Sequence, residues 1–219
     1  MTELLGIRPG ITAIIGSGGK TTLMMLLARQ LPGRRIVCTT TKIYRPTHLP
    51  VSPDNSAAEI DRLLNRFGCI CLGQEARGGK LSAPALPVEA LTGLADYVLV
   101  EADGSHRLPL KAHLPGEPVI PPQARQVLLV LGLSGIGRPV AQAAHRPERF
   151  AALSGLALSE PVTPEAAAQV LRREALADCV LLNQLDCPGA QESAHRIAAA
   201  LPSPVFAGSL QAEQLLQLK

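Results

Sequence analysis

Residues 11–22 read ITAIIGSGGKTT, and no other stretch restricts the fold so tightly. An apolar β-branched run followed by glycines reads as a buried strand entering a turn, and the next residues, TTLMMLLARQL, read as a helix. Strand, glycine-rich turn and helix in that order form a phosphate-binding loop. Gly16, Gly18 and Gly19 can take backbone angles closed to other residues, so successive N–H groups turn inward around an anion. The helix then directs its positive end at the same anion. In this arrangement Lys20 reaches the β and γ phosphates of a nucleoside triphosphate, the Thr21 hydroxyl binds the bridging Mg²⁺, and Ser17 and Thr22 complete the loop. Ile14 stands where the pattern G-x-x-x-x-G-K-[ST] has its first glycine. The spacing G-x-G-G-K-T-T is closer to the short loops of ATP-using amide-bond ligases than to those of small GTPases.

What surrounds the loop is expected to be one domain covering 1–219. Apolar runs alternate with helical patterns, the sign of a parallel sheet covered by helices. Strands are expected near 11–15, 35–40, 69–72, 96–101, 126–132, 178–183 and 204–207. Helices are expected over 20–31, 56–66, 86–94, 146–157, 163–173 and 190–200, the fifth capped by Thr163 ahead of Pro164 and Glu165. The fold class is α/β: a three-layer, mostly parallel sheet with helices on both faces, P-loop NTPase-like. Residues 103–125, rich in proline and charge, read as a long functional loop.

Composition excludes several classes of partner. With aromatics at 2% and no Trp, the core is built from aliphatic residues, and the stacking platforms that single-stranded nucleic acid needs are missing. The net charge of +3 is scattered, without a polyanion-binding stripe. No apolar run reaches membrane-spanning length and the N-terminus has no leader pattern, so neither nucleic acid nor membrane is an expected partner and the chain reads as cytoplasmic. The five cysteines lack paired metal spacing and read as reduced thiols; Cys69 and Cys71, two apart on a strand, point to one face, where buried structural thiols and a soft-metal or chalcogen site both remain open.

Further candidates follow the ends of the other strands, where doubly wound sheets bind ligands. CTTTKIY places Thr39, Thr40, Thr41 and Lys42 there, with one threonine a second Mg²⁺ ligand or γ-phosphate sensor, or merely a good strand residue. DYVLVEADG ends a buried strand in Glu101 and Asp103, acids able to hold Mg²⁺ or orient an attacking group, Glu101 being the better metal partner. In VLLNQLD, Asn183 and Asp186 fall in register with the guanine-reading N-K-x-D element, with Gln184 at the lysine position, and Gly208 and Ser209 follow the last strand near the base edge; an ordinary strand-to-helix turn is the competing reading. Among the histidines, His106 and His113 lie in the long loop, and His145 with Arg146 reads as a substrate or phosphate clamp.

Taken together, IIGSGGKTT, TTTKIY, VEADGS with PLKA and EPVIP, HRPE and VLLNQLD resemble the YqeC family from about residue 10 to 186. Its members are named as accessory proteins of selenium-dependent molybdenum hydroxylases or as selenium cofactor biosynthesis proteins. The resemblance implies maturation of a molybdenum site carrying labile selenium, with such a hydroxylase or a cofactor-maturation protein as partner. It carries over to Gly16, Gly18, Gly19, Lys20, Thr21, Thr22, Thr40, Lys42, Glu101, Asp103, Lys111, Glu117, Asn183 and Asp186. Motif and resemblance together predict an Mg²⁺-dependent NTPase using GTP or ATP, with Lys20, Glu101 and Asp103 as the catalytic set. The alternatives are an ATP-dependent ligase or small-molecule kinase, and a non-enzymatic nucleotide-gated carrier or scaffold.

Overall fold

The computed structural model describes residues 1–52 and 56–219. In chain order the elements are β1 (Gly10–Gly16), α1 (Lys20–Gln30), β2 (Arg35–Thr39), β3 (Lys42–Tyr44), β4 (Val51–Ser52), α2 (Ala57–Phe67), β5 (Cys69–Leu72), β6 (Gln74–Ala76), β7 (Lys80–Ser82), β8 (Tyr97–Glu101), β9 (Leu110–Lys111) and β10 (Ala124–Gly132). There follow α3 (Val140–Ala143), β11 (Ala144–His145), α4 (Pro147–Ser154), α5 (Pro164–Glu174), β12 (Cys179–Asn183), α6 (Ala190–Ala200), β13 (Val205–Ser209) and β14 (Gln214–Gln217). The hydrogen-bonded order of the nine-stranded sheet is β14-β13-β12-β10-β1-β8-β2-β5-β4. The fold is α/β, with a mostly parallel sheet, helices on both faces, and a P-loop NTPase-like opening of strand, glycine turn and helix.

The chain forms two compact units, and β1 and β10 each contribute to both. The first comprises residues 1–14, 21–104 and 119–127. Here β8 pairs in parallel with β1 and with β2, and β5 pairs in parallel with β2 and β4. One face, carrying Ile36, Cys38, Ile70, Val98 and Val100, packs with Ile60, Leu63 and Leu64 of α2. The alternate positions Val37, Cys71 and Leu99 are also fully buried, so this is a sheet covered on both sides, which explains why its strands read as unbroken apolar runs. Ser56 caps α2, its hydroxyl accepting from Glu59 N–H, and left-handed Gly68 ends the helix. A small antiparallel sheet, β3-β7-β6, completes the unit.

The second unit comprises residues 15–20, 105–118 and 128–219. Its strands β10, β12 and β13 are parallel, and β14 closes the edge antiparallel to β13. Thr163 caps α5 by accepting from Ala166 N–H at 3.2 Å, with Pro164 in the first turn, as the sequence led one to expect.

Several expected elements differ in detail. Residues 86–94 form only a 3₁₀ turn, Val88–Gly93, bounded by Pro87 and Gly93. The helix expected over 146–157 runs from Pro147 to Ser154, where Gly155 turns left-handed at φ 79°. The loop expected over 103–125 contains β9, which pairs in parallel with β11. Among the described residues no helix is long and apolar enough to cross a membrane.

Candidate functional site

In the second unit, the turn after β1 has the backbone that its glycines were expected to supply, with φ of 91° at Gly16, 83° at Gly18 and 139° at Gly19. At all three positions contact as well as conformation demands glycine, a Cβ on Gly16 falling 2.3 Å from Val130 O. A Cβ on Gly18 would lie 2.5 Å from Gly132 Cα, and one on Gly19 would collide with the Asn183 carboxamide. Ser17 anchors the turn: its N–H donates to Val130 O at 2.7 Å, and its hydroxyl donates to Leu108 O. The Lys20 ammonium folds back over the loop, donating to Gly16 O at 2.8 Å and Ser105 Oγ at 3.1 Å. A buried ammonium needs such partners, and Lys20 is 4% exposed. No acidic residue lies in the first turn of α1, so the positive end of that helix is not neutralised from within.

Asn183 locks the turn in place. Its Nδ2 donates to Gly18 O at 2.7 Å, and its Oδ1 accepts from Leu210 N–H at 3.0 Å. Both ends of the carboxamide are therefore engaged with backbone. Asp186 is exposed on the turn beyond. Gln184 has φ 68° and accepts from Ser134 N–H at 3.3 Å. Gly208 and Ser209 pair with Leu215 and Gln214 in the antiparallel edge.

In the first unit, Thr21 and Glu101 meet: the threonine hydroxyl donates to Glu101 Oε2 at 2.7 Å. Two hard oxygens at that separation match neighbouring corners of an Mg²⁺ octahedron, whose ~2.1 Å bonds set cis ligands about 3 Å apart. The pair therefore fits the metal that the loop implies. Glu101 and Asp103 are both buried. Thr22, beside Thr21 at the start of α1, is exposed. Thr39 Oγ1 donates to Glu101 O and Thr40 Oγ1 to Val119 O, each at 2.7 Å, so both threonines secure the chain around the end of β8. Lys42 is exposed at the start of β3.

A second polar cluster belongs wholly to the second unit. The single carboxylate of Glu117 receives Arg146 Nη2 at 2.8 Å and faces Lys111 Nζ at 3.5 Å. Lys111 lies opposite His145 in the β9·β11 pair, and the His145 ring stacks on His106 with centroids 4.6 Å apart. Burial and the charges of Lys111, His106 and Arg146 push the His145 imidazole down to about 4, so it is neutral at pH 7. Burial favours the neutral form of Glu117, but the Arg146 hydrogen bond and the Lys111 charge outweigh it and hold the carboxyl below its usual range. His113 is engaged elsewhere: its N–H bonds Glu174 Oε1 at 2.6 Å, and its Nδ1 lies 2.8 Å from Glu174 Oε2. The sequence offered Lys111, Glu117, His145 and Arg146 individually, without their convergence. It gave no sign of Ser105, whose meeting with Lys20 depends on the path of residues 105–118.

Cys38, Cys69, Cys71 and Cys179 are buried; burial raises the first three thiols, Cys71 to about 12. Among the described residues no group of three or more His, Cys, Asp or Glu side chains could hold a metal.

The family model for YqeC protein matches residues 12–148. The chain belongs to the YqeC family. An uncharacterized protein YqeC of Escherichia coli (strain K12) is 34% identical over 175 residues, which cover 74% of this chain and 65% of that relative. This family member thus spans a little under two thirds of the relative's length. Among solved structures it is similar to the signal recognition particle 54 kDa protein of Aeropyrum pernix K1, determined in complex with GDP. That similarity has a TM-score of 0.46 and 16% identity, covering 96% of this chain and 44% of the other.

Proposed function

We propose that this YqeC-family chain binds a nucleoside triphosphate with Mg²⁺ and hydrolyses it, or transfers a group from it, during maturation of a selenium-dependent molybdenum hydroxylase or its cofactor. The observation that carries the reading is the loop itself. Its three left-handed glycines wrap a turn at the N-terminus of α1, with the Lys20 ammonium drawn over it. Oriented backbone dipoles, a helix end and a lysine are what a polyphosphate requires.

In this reading Gly16, Gly18 and Gly19 cradle the phosphates, and Ser17 holds the cradle to Val130 and Leu108. Lys20 neutralises the β and γ phosphates. Thr21 and Glu101 would hold Mg²⁺, which offsets phosphate charge when bound. Asp103, two residues beyond Glu101, orients the attacking group. Catalysis of this kind is mostly positioning and electrostatics, so no covalent nucleophile is needed. The nucleotide is GTP or ATP; Asn183 and Asp186 favour guanine as a reading of sequence register, with Asn183 acting by holding Gly18. The pathway rests on the names given to family members.

The test is calorimetric titration with non-hydrolysable GTP and ATP analogues, with and without Mg²⁺, on wild type and Lys20→Ala. Mg²⁺-dependent binding that the variant weakens by a factor of about ten or more, the worth of a charge-assisted contact, is the expected result. Equal binding by both proteins would refute the assignment.

A further inference from the structure

We propose that the outward face of the small sheet β3-β7-β6 docks an acidic, extended segment of a partner protein. The inference stands apart from the nucleotide reading, which makes no use of this sheet.

The three strands have one side turned in and one turned out. Ile43 and Leu81 lie opposite each other and are 3% and 0% exposed, so their side packs inward. By alternation Lys42 and Tyr44 lie on the other side, with Lys80 directly across from Tyr44 and Ser82 across from Lys42. Lys42 and Tyr44 are exposed, the tyrosine at 53%. Tyrosine is a residue that interfaces collect, because its ring offers a large, stiff contact area with a polar tip.

Charge complementarity selects the partner. The strands hold one acid, Glu75, which is level with Leu81 and Ile43 and is bound by Arg45. That leaves the outward side of the strands without an acid. Lys42 and Lys80 occupy it, Arg77 follows in the turn that joins β6 to β7, and none of the three makes an ion pair among the described residues. A Cβ on Gly78 or Gly79 of that turn would meet nothing within 4 Å, so its tip stands clear of the rest of the chain. The sequence shows no basic run here because the cations come from separate strands.

The Lys80 ammonium lies 4.9 Å from the centre of the Tyr44 ring. This contact holds a long side chain in place before any partner arrives, which lowers the entropy lost on binding. It also decides between classes of anion. A single strand of nucleic acid binds by stacking its bases on open ring faces, and the exposed ring of this sheet carries a cation over its face. A membrane surface calls for inserted apolar side chains, and the two large aliphatic residues of these strands, Ile43 and Leu81, are buried. Carboxylates on alternate residues of an extended polypeptide stand roughly 7 Å apart, the spacing that separates Lys80 from its diagonal neighbour Lys42.

The test titrates the whole protein with an octaglutamate peptide at low salt and follows the tyrosine ring signals by NMR. The chain has two tyrosines, so Tyr97, at the start of β8, serves as internal reference. The expected result is a saturable movement of the Tyr44 signals with those of Tyr97 unmoved, weakening as salt is added. Lys80→Glu should weaken binding about three- to thirty-fold, the effect of reversing one partner of an exposed charge pair. Arg172→Glu makes the same change of net charge at an exposed position on α5. It acts only through the screened overall field and should weaken binding less than about two-fold. Tyr97 signals at their wild-type positions show that each variant is folded. No movement of Tyr44, equal weakening by the two substitutions, or tighter binding of a thymidine octanucleotide than of the peptide would each overturn the proposal.

Discussion

Asn183 offers the sharpest test of how the phosphate loop is held, because its two hydrogen bonds need opposite chemistry from one side chain. The amide nitrogen must donate to Gly18 O, and the amide oxygen must accept from Leu210 N–H. Asn183→Leu keeps the branched heavy-atom outline and loses both bonds, stranding a backbone acceptor and a backbone donor. At roughly 1 to 2 kcal/mol for each group left unmet, the cost is about 2 to 4 kcal/mol. A chain of this size loses about 2 to 4 °C of melting temperature per kcal/mol, so the drop should be about 4 to 16 °C. Asn183→Asp retains the acceptor for Leu210 but sets a carboxylate against Gly18 O, at a position only 6% exposed. It should be the less stable of the two at pH 7, since a buried charge and an acceptor–acceptor contact replace a hydrogen bond. Thermal unfolding followed by circular dichroism measures both variants. A melting temperature for Asn183→Asp equal to that of wild type would refute the bridging role.

Gly18→Ala should lose about 2 to 5 kcal/mol in urea unfolding, combining a left-handed alanine with a Cβ driven against Gly132; a change below about 0.5 kcal/mol would show that the close approach relaxes freely. The His145 ring should titrate by NMR near pH 4. The unfolded chain binds that proton from about pH 6.5 downward while the folded chain does not, so stability should decline as pH falls from 6.5 towards 4, and His145→Asn should flatten the decline; titration at the ordinary histidine value would contradict the cluster's electrostatics. In native protein at pH 8 one thiol per chain, the half-buried Cys187, should react promptly with a disulfide reagent, while the four buried cysteines wait for unfolding. Prompt reaction of Cys69 and Cys71 would reopen a chemical role for that pair.

Why the sheet was legible and the site only partly so follows from the range of the interactions. Strands such as Cys179–Asn183 are buried on both faces, and their apolar runs record that burial in consecutive residues. Thr163, Pro164 and the following helix signal themselves within four residues. Loop glycines are equally local, because φ belongs to one residue. By contrast β3, β6 and β7 are three residues long and β9 and β11 two, too short for any period to register. The edge strand β14 ends a chain of polar and apolar residues with exposed alternation, and only its pairing with β13 defines it. The Glu117 network joins residues 29 apart, and Lys20 meets Ser105 across 85 residues. No spacing rule reaches that far, so the sequence supplied the chemistry of each residue but not its partner.

The segment 105–118 joins several parts of the second unit: Ser105 holds Lys20, Leu108 O accepts from Ser17, Pro109 O accepts from Gly132 N–H, and His113 is fixed to Glu174. Under the proposed function, the first of these contacts is the one for which a bound triphosphate would compete. The ammonium sits 2.8 Å from Gly16 O and 3.1 Å from Ser105 Oγ, the contacts it holds without a phosphate. If Ser105 competes with the phosphate, Ser105→Ala removes a ground-state contact of the free protein and should tighten a triphosphate analogue by up to about ten-fold, the worth of a hydrogen bond to a charged group. The diphosphate, which makes less demand on Lys20, should change less. Calorimetry of both nucleotides on both proteins decides it. Weaker triphosphate binding by Ser105→Ala would mean that the serine aims the lysine rather than restraining it, and that residues 105–118 belong to the bound site instead of being released by it.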